Sequence, residues 1–341
     1  MSIAPPQRPA EVDAEHAESI LQVSAAARVS AHRRFVARYV TEKVLSAVFV
    51  LWAAASLSFL AVHLAPGDPA LMLMGEVKTP ELRATIEADW GLDEPLITQY
   101  LDYFGRLLSG DLGYSYVQRV PVNEILFGPR LLNSAKLTVF AALLAVLLAV
   151  VVAVLSASRR GPGSALLNIV ELTFASVPSF WLGLVLISVF AFGLGWFPVT
   201  AGSELQKLIL PGFTLALPLA AVLAQVIREG IERSLEQPYS VTALMRGISH
   251  AQLKRRHALR HSLIPATTLA GWSVGGMLTG TVIVEQVFGR SGIGQATVTA
   301  VRQQDIPVVL GIALAAATIY VLVNTVVDIL YVWIDPRLKA A

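Results

Sequence analysis

The 341-residue chain contains no cysteine, which excludes disulfides, thiolate metal sites and cysteine nucleophiles. Charge is scarce too. Asp, Glu, Lys and Arg make up 15% of the residues, against about 25% in ordinary soluble domains. The formal net charge of +2 is too small to indicate nucleic-acid binding. A secretory leader is not apparent, because residues 1–30 are Ala-rich with Pro5, Pro6, Pro9 and the acids Glu11, Asp13, Glu15 and Glu18. Residues 1–37 read as a cytoplasmic tail, mostly disordered, or as a weak helix from about Glu11 to Arg28.

What the chain has is apolar length. Six nearly uncharged runs stand out: Val44–Gly67, Leu137–Ser158, Leu172–Ser203, Leu208–Ile227, Ser262–Val284 and Ile306–Val327. At about 1.5 Å per residue, each can cross a hydrocarbon core of about 30 Å as a helix. A span must satisfy its own backbone hydrogen bonds, so helices are expected. The predicted fold is an all-α, six-helix polytopic membrane domain over 38–341. Transport across the bilayer follows as the expected kind of work.

Basic residues set the expected orientation, with Arg33, Arg34, Arg38 and Lys43 before the first span, Arg159 and Arg160 between the second and third, and Arg337 and Lys339 at the end. The loop after span four carries Arg228, Arg233, Arg246, Lys254, Arg255, Arg256 and Arg260. Positive charge stays on the cytoplasmic side, which puts both termini inside. The outer loop 68–136 then has its own elements. Thr79-Pro80-Glu81 starts a helix that presents Leu82, Ile86 and Trp90 and stops at Gly91. A second helix, from about Pro95 to Leu108, presents Leu96, Tyr100, Tyr103, Phe104 and Leu107, and Gly110-Asp111-Leu112-Gly113 is a turn. This cap suits docking or covering a pore mouth; a structural spacer is the alternative.

The inner loop, 229–262, is the most informative stretch outside the spans. Pro238 fits the first turn of a short helix that Gly247 ends in a left-handed turn, with Val241, Leu244 and Ile248 as an apolar stripe. Ser249 caps a second helix carrying the basic cluster. Such a helix gives a partner a grip on the spans. The alternative is a basic loop that sets topology and touches anionic headgroups.

The segment YSVTALMRGISHAQLKRRHALRHSLIP, Tyr239 to Pro265, resembles the signature cytoplasmic loop of permease subunits of ABC importers, closest to the dipeptide, oligopeptide and nickel branch. LAPGDPA (Leu64–Ala70), GDLGYS (Gly110–Ser115), VPSFWLG (Val177–Gly183), VIVEQVFGRSGIG (Val282–Gly294) and VDILYVWIDPR (Val327–Arg337) resemble that branch in the same order. One departure stands at Val241, Thr242 and Ala243, where the general loop motif begins Glu-Ala-Ala. The resemblance implies an inner-membrane complex with a second homologous permease, two cytoplasmic ATPases and an extracytoplasmic solute-binding protein. It implies a type I importer fold and di- or oligopeptide cargo, with nickel or another small solute as the alternative. It also implies Tyr239, Ala243, Leu244, Arg246 and Gly247 as ATPase contacts.

No cofactor or metal site is expected. Lys78-Thr79 is the only Lys followed by Ser or Thr, and Val77 stands where a phosphate-binding loop needs Gly. Pro178, Phe180, Trp181 and Gln225 are candidates for the translocation path, with helix packing as the preferred bland reading of each. Gly271, Gly275, Gly276 and Gly280 form two interleaved small-xxx-small pairs, which predict a helix crossing, either within the chain or against the second permease. Glu285 is expected to begin the outer loop, and Glu171 to start span three. The lack of central acids disfavours an ion-coupled secondary transporter. Gly271-Trp272-Ser273-Val274-Gly275 matches a serine-hydrolase string, but it lies within an apolar run, and His63 is the only candidate base.

Overall fold

The computed structural model describes residues 38, 40–64, 67–75, 78–158, 162–199 and 202–334. Residues 1–37, with Arg33 and Arg34, lie outside the described residues, as do Arg159, Arg160, Arg337 and Lys339. Almost everything described is helical. Among the described residues, four helices are long and apolar enough to span: α1 (Val40–Leu64), the run Val122–Ser156, α9 (Glu204–Leu235) and the stretch Ile306–Val326 of α14 (Ile306–Ile334). Two bent pairs, Ala165–Ser176 with Ser179–Gly193 and Pro265–Met277 with Thr279–Phe288, raise the number to up to six if each is one span.

The uncharged runs located these elements but not their ends. The second run belongs to α6 (Pro129–Ser156), which begins within the expected outer loop 68–136 because Pro129 sits in its first turn. The fourth begins at Glu204, where Ser203 and Gln206 form a reciprocal capping box, and it runs past Pro211 and Pro218 to Leu235. The inner connection therefore shrinks from 229–262 to 236–258. The third run is not one straight helix. α7 (Pro162–Ser176) and α8 (Ser179–Leu186) meet at 108° across Val177 and Pro178, and α8 continues as a wide helical turn over Ile187–Gly193. Proline cannot donate the hydrogen bond that a continuous helix needs there.

The most extensive packing in the chain is α6 against α9. It rests on a ladder of alanines, Ala141, Ala145, Ala149, Ala153 and Ala157, every fourth residue and all fully buried. Opposite them lie Ala216, Ala220, Leu223, Ala224 and Ile227 of α9. Lipid tails are as apolar as these side chains, so close backbone approach and dispersion must hold the pair together. Gly212 belongs to the same contact, since a Cβ there would sit 2.4 Å from the Phe140 ring.

The glycines of α12 (Leu259–Phe288) do make crossings, but they face different neighbours. A Cβ on Gly275 would lie 2.9 Å from the Tyr320 ring of α14, and one on Gly280 would lie 3.2 Å from Leu215 of α9. Gly271 is buried, whereas Gly276 has open space and is exposed. Three of the four are thus used within the chain, and only Gly276 faces outward.

The outer cap forms as its signals dictate. α2 (Pro69–Leu73) is capped by Asp68, whose carboxylate accepts from the Ala70 N–H at 2.9 Å. α3 (Pro80–Trp90) is capped by Thr79 and ends at Gly91 with φ 60°. Ile86 is fully buried against Leu73, Met74 and Val62, with Leu82 and Trp90 beside them. On α4 (Leu96–Leu108), Tyr100, Tyr103, Phe104 and Leu107 pack on Phe59 and Ala55 of α1, while Leu96 turns outward. The short hairpin β1 (Tyr114–Ser115) and β2 (Val120–Pro121) leads to α5 (Val122–Leu126). Burial pushes the Tyr103 hydroxyl up to about 12 and raises Tyr116 as well, the latter also through its bond to Asp89 at 3.0 Å. Both should stay neutral as exposed tyrosines titrate. The stability they carry is present below pH 10 and should fade as pH rises, through about 12 for Tyr103, which alkaline unfolding monitored by near-ultraviolet absorbance would detect.

Candidate coupling loop and pathway residues

α9 ends at Leu235, and the chain turns at Gln237 into α10 (Pro238–Met245). Proline at the first position needs no N–H partner there. Two hydroxyls hang α10 from the end of α9. Ser240, 1% exposed, donates to the Ser234 carbonyl at 2.9 Å, and the Tyr239 hydroxyl hydrogen-bonds the Ser234 hydroxyl. Ser240 was not singled out from sequence, although an alternation of serines around a helix junction was its visible signal. Gly247 ends α10 at φ 83°, with the Ile248 N–H returning to the Ala243 carbonyl at 3.2 Å. That is the left-handed stop expected of glycine.

The expected apolar stripe is only partly on the surface. Leu244 and Ile248 are half-buried, as is Ala243, whereas Val241 is 53% and Met245 84% exposed. Val241 and Met245 are four apart, so they share one outward face. Met245 is the residue missed by reading the stripe as Val241, Leu244, Ile248. Arg246 is exposed beside them.

Ser249 caps α11 (His250–Gln252) by accepting from the Gln252 N–H at 3.3 Å, and the helix widens over Leu253–Ala258 before it joins α12. The basic residues of the loop fall into two sets. Arg228 pairs with Glu171 of α7 at 2.7 Å, Arg233 with Glu229 at 2.5 Å, and the Lys254 ammonium donates to the Ala157 carbonyl at 2.5 Å. Ala157 lies just past the end of α6, where exposed carbonyls favour a cation. Lys254 is therefore an internal strut and not an external contact. Arg246, Arg255, Arg256 and Arg260 have no carboxylate within 4 Å among the described residues and are exposed.

Glu171 corrects an expectation. It lies well inside α7, 4% exposed, and its second oxygen is buried without a partner among the described residues. Glu285 is hydrogen-bonded, and only its place differs from the expected start of the outer loop. It sits in the last turn of α12, fully buried, and accepts from the Ser134 hydroxyl at 2.5 Å, the Gly294 N–H at 2.8 Å and the Gln295 N–H at 3.3 Å. Ser134 in turn accepts from the Ile293 N–H at 2.8 Å. The first turn of α13 (Ile293–Arg302) is thus capped from α12 and α6, and the stretch after α12 is a docked helix rather than an open loop.

Pro178, Phe180 and Trp181 come together at the start of α8, with both aromatic rings about half exposed. Gln225 stands apart on α9, half-buried. Ser273 donates to the Leu269 carbonyl at 2.7 Å inside the helix, so no nucleophile elbow exists there. His63 is stacked on Phe59 and bonded to Gln99 at 2.8 Å.

Residues 145–340 match the family profile of the binding-protein-dependent transport system inner membrane component, and residues 36–129 match the N-terminal profile of such membrane components. The glutathione transport system permease protein GsiC of Salmonella typhimurium is 34% identical over 302 residues, covering 88% of this chain and 98% of that protein. GsiC of Salmonella choleraesuis is 34% identical over 303 residues, and that of Escherichia coli strain K12 is 33% identical over 302, with the same coverage. The apolar helices, the short capped helix after α9 and these matches lead to one conclusion: the chain belongs to the binding-protein-dependent inner membrane components, and it is a multi-pass inner-membrane permease of an ABC importer of the dipeptide, oligopeptide and nickel branch, not an ATPase.

Proposed function

We propose that this permease forms half of a translocation pathway for di- or oligopeptides. A second homologous permease completes the pathway, two cytoplasmic ATPases drive it, and a solute-binding protein delivers cargo from outside. Residues 1–37 are the cytoplasmic tail and 38–341 the permease domain, with both termini inside. Peptide cargo is supported by the relatives named for glutathione, which is itself a peptide. The observation that carries the reading is α10, a short helix hung from α9 whose outward face offers Val241 and Met245 and which stops at Gly247. Tyr239 holds that helix in place. Ala243, Leu244, Arg246 and Gly247, with Met245 added, meet the ATPase. Pro178, Phe180, Trp181 and Gln225 face the cargo path, and Gly276 faces the second permease.

Because the chain has no native cysteine, Thr242→Cys gives a single reporter on the exposed side of α10. Membrane-impermeant maleimide should label it in inside-out vesicles and leave it unlabelled in intact cells. Labelling from the outside would overturn the orientation and the coupling role together. Gly247→Trp meets no neighbour, but it forces a bulky residue into a left-handed conformation at a cost of about 1–2 kcal/mol. Uptake should fall to background while the amount of inserted protein is unchanged. Normal uptake in that variant would remove Gly247 from the coupling contact.

A further inference from the structure

Arg256, His257, Arg260 and His261 line one face of the helix that leads into α12, around a cleft of about 450 Å³ closed by Ile248 and Gln252. The opposite face, with Ala258 and Ser262, is buried. Arg256 and His257 end the inner connection and Arg260 and His261 begin α12, all within three turns of Pro265, where the apolar part of α12 begins. No carboxylate comes within 4 Å of Arg256 or Arg260 among the described residues. Like charges one turn apart repel, so the arrangement is short of an anion. The helix is locally widened over Leu253–Ala258 at this point, an irregularity that often marks functional sites.

We infer that this cleft binds the phosphate of an anionic phospholipid at the membrane surface. The inference rests on the proposed reading that the α9–α12 connection lies along the cytoplasmic face of the bilayer. Two guanidinium groups suit a phosphate, because each presents several N–H donors in one plane. Ile248 offers the lipid's glycerol an apolar contact at the edge of the cleft. Lys254, three residues before His257, is turned away to Ala157 and is not part of the site. The cleft touches α10 only on the side of Tyr239, whose ring lies 5.9 Å from that of His261, whereas the ATPase contact uses the outward residues around Met245. A bound lipid would fix the height of the connection in the membrane while its neighbour is gripped from below.

The test uses the purified full-length chain in neutral detergent, titrated with phosphatidylglycerol or phosphatidylcholine. Retained lipid is read by native mass spectrometry, and stability by thermal unfolding. Wild type should retain phosphatidylglycerol and gain in melting temperature, with neither effect from phosphatidylcholine. Arg256→Ala with Arg260→Ala should weaken retention on the order of thirtyfold, from the loss of two surface charges. Arg256→Lys with Arg260→Lys keeps the charge but not the planar donors and should recover part of the retention, which separates lost charge from lost folding. Arg302→Ala, an exposed cation of α13, controls for net charge and should change nothing. Equal retention in wild type and the double alanine variant would overturn the site. An equal stabilisation by inorganic phosphate would overturn the lipid in favour of a soluble anion. Loss of copurifying ATPase from the double alanine variant, with lipid retention intact, would reassign the cleft to the ATPase. The maleimide experiment on Thr242→Cys reports separately on orientation, so failure of that reading is distinguishable from failure of the lipid site.

Discussion

Arg228→Leu should destabilise the permease by about 3–5 kcal/mol, and adding Glu171→Leu should restore most of the loss. The pair lies between α7 and α9 at 2.7 Å, with side chains 14% and 5% exposed. Removing the guanidinium strands a buried carboxylate whose other oxygen already lacks a partner among the described residues. A buried charge without compensation costs several kcal/mol, whereas an apolar pair of similar volume is often neutral. Glu171→Leu alone should cost less, because Arg228 stands near the inner end of α9 and can reach toward the surface on its long stem. The measurement is a double-mutant cycle on thermal unfolding of the detergent-purified protein, with amounts inserted in the membrane as a second readout. Additive losses in the double variant would show that the two residues are not coupled.

Gly294→Ala should undock α13. A Cβ at Gly294 would fall 2.3 Å from the Val282 Cα and 2.9 Å from a Glu285 oxygen. The nearer atom is backbone, so no side-chain rotation relieves the clash. Overpacking of this kind costs about 1–3 kcal/mol, occasionally more, and here it also pulls the Gly294 N–H from the carboxylate. Glu285→Leu should act through the other half of the contact, leaving the Ser134 hydroxyl and the Gly294 and Gln295 N–H groups without their acceptor, at about 1–3 kcal/mol for each buried group. Both variants should expose the chain between Arg290 and Arg302 to trypsin under conditions that leave wild type intact. Wild-type resistance and melting in both would mean that the carboxylate does not hold α13.

The sequence signals that succeeded were local. Thr79, Pro80 and Gly91 delimit α3, and Pro238 and Gly247 delimit α10, because caps and left-handed stops act within one turn. Uncharged length placed the spans for the same reason. The ends of those spans were misjudged where polar residues continue a helix, as at Glu204 and from Ile227 on to Leu235. The partners of the buried acids were not legible because they are remote: Arg228 is 57 residues from Glu171, and Ser134 is 151 from Glu285. Nothing in the neighbourhood of either acid announces those partners. The alanine ladder of α6 was legible in principle, since five alanines at a strict spacing of four stand in the open sequence. The glycines of α12 drew attention instead, and their spacing alone did not tell which of several neighbours each would meet. The coupling stripe was drawn one residue off because Ile248, past the glycine stop, no longer follows the helical period of α10.

The strut from Lys254 to Ala157 has a mechanical consequence. Ala149, Ala153 and Ala157 of α6, Leu223, Ala224, Ile227 and Ile231 of α9, Ala258 and Ala266 form one continuous apolar cluster at the same end of the molecule. The inner connection is therefore bolted to three long rods at their feet, not suspended between two of them. A shove on α10 would move the feet of those rods together, and compliance would have to come from above them, at the elbow between α7 and α8 or at the 52° bend within α12.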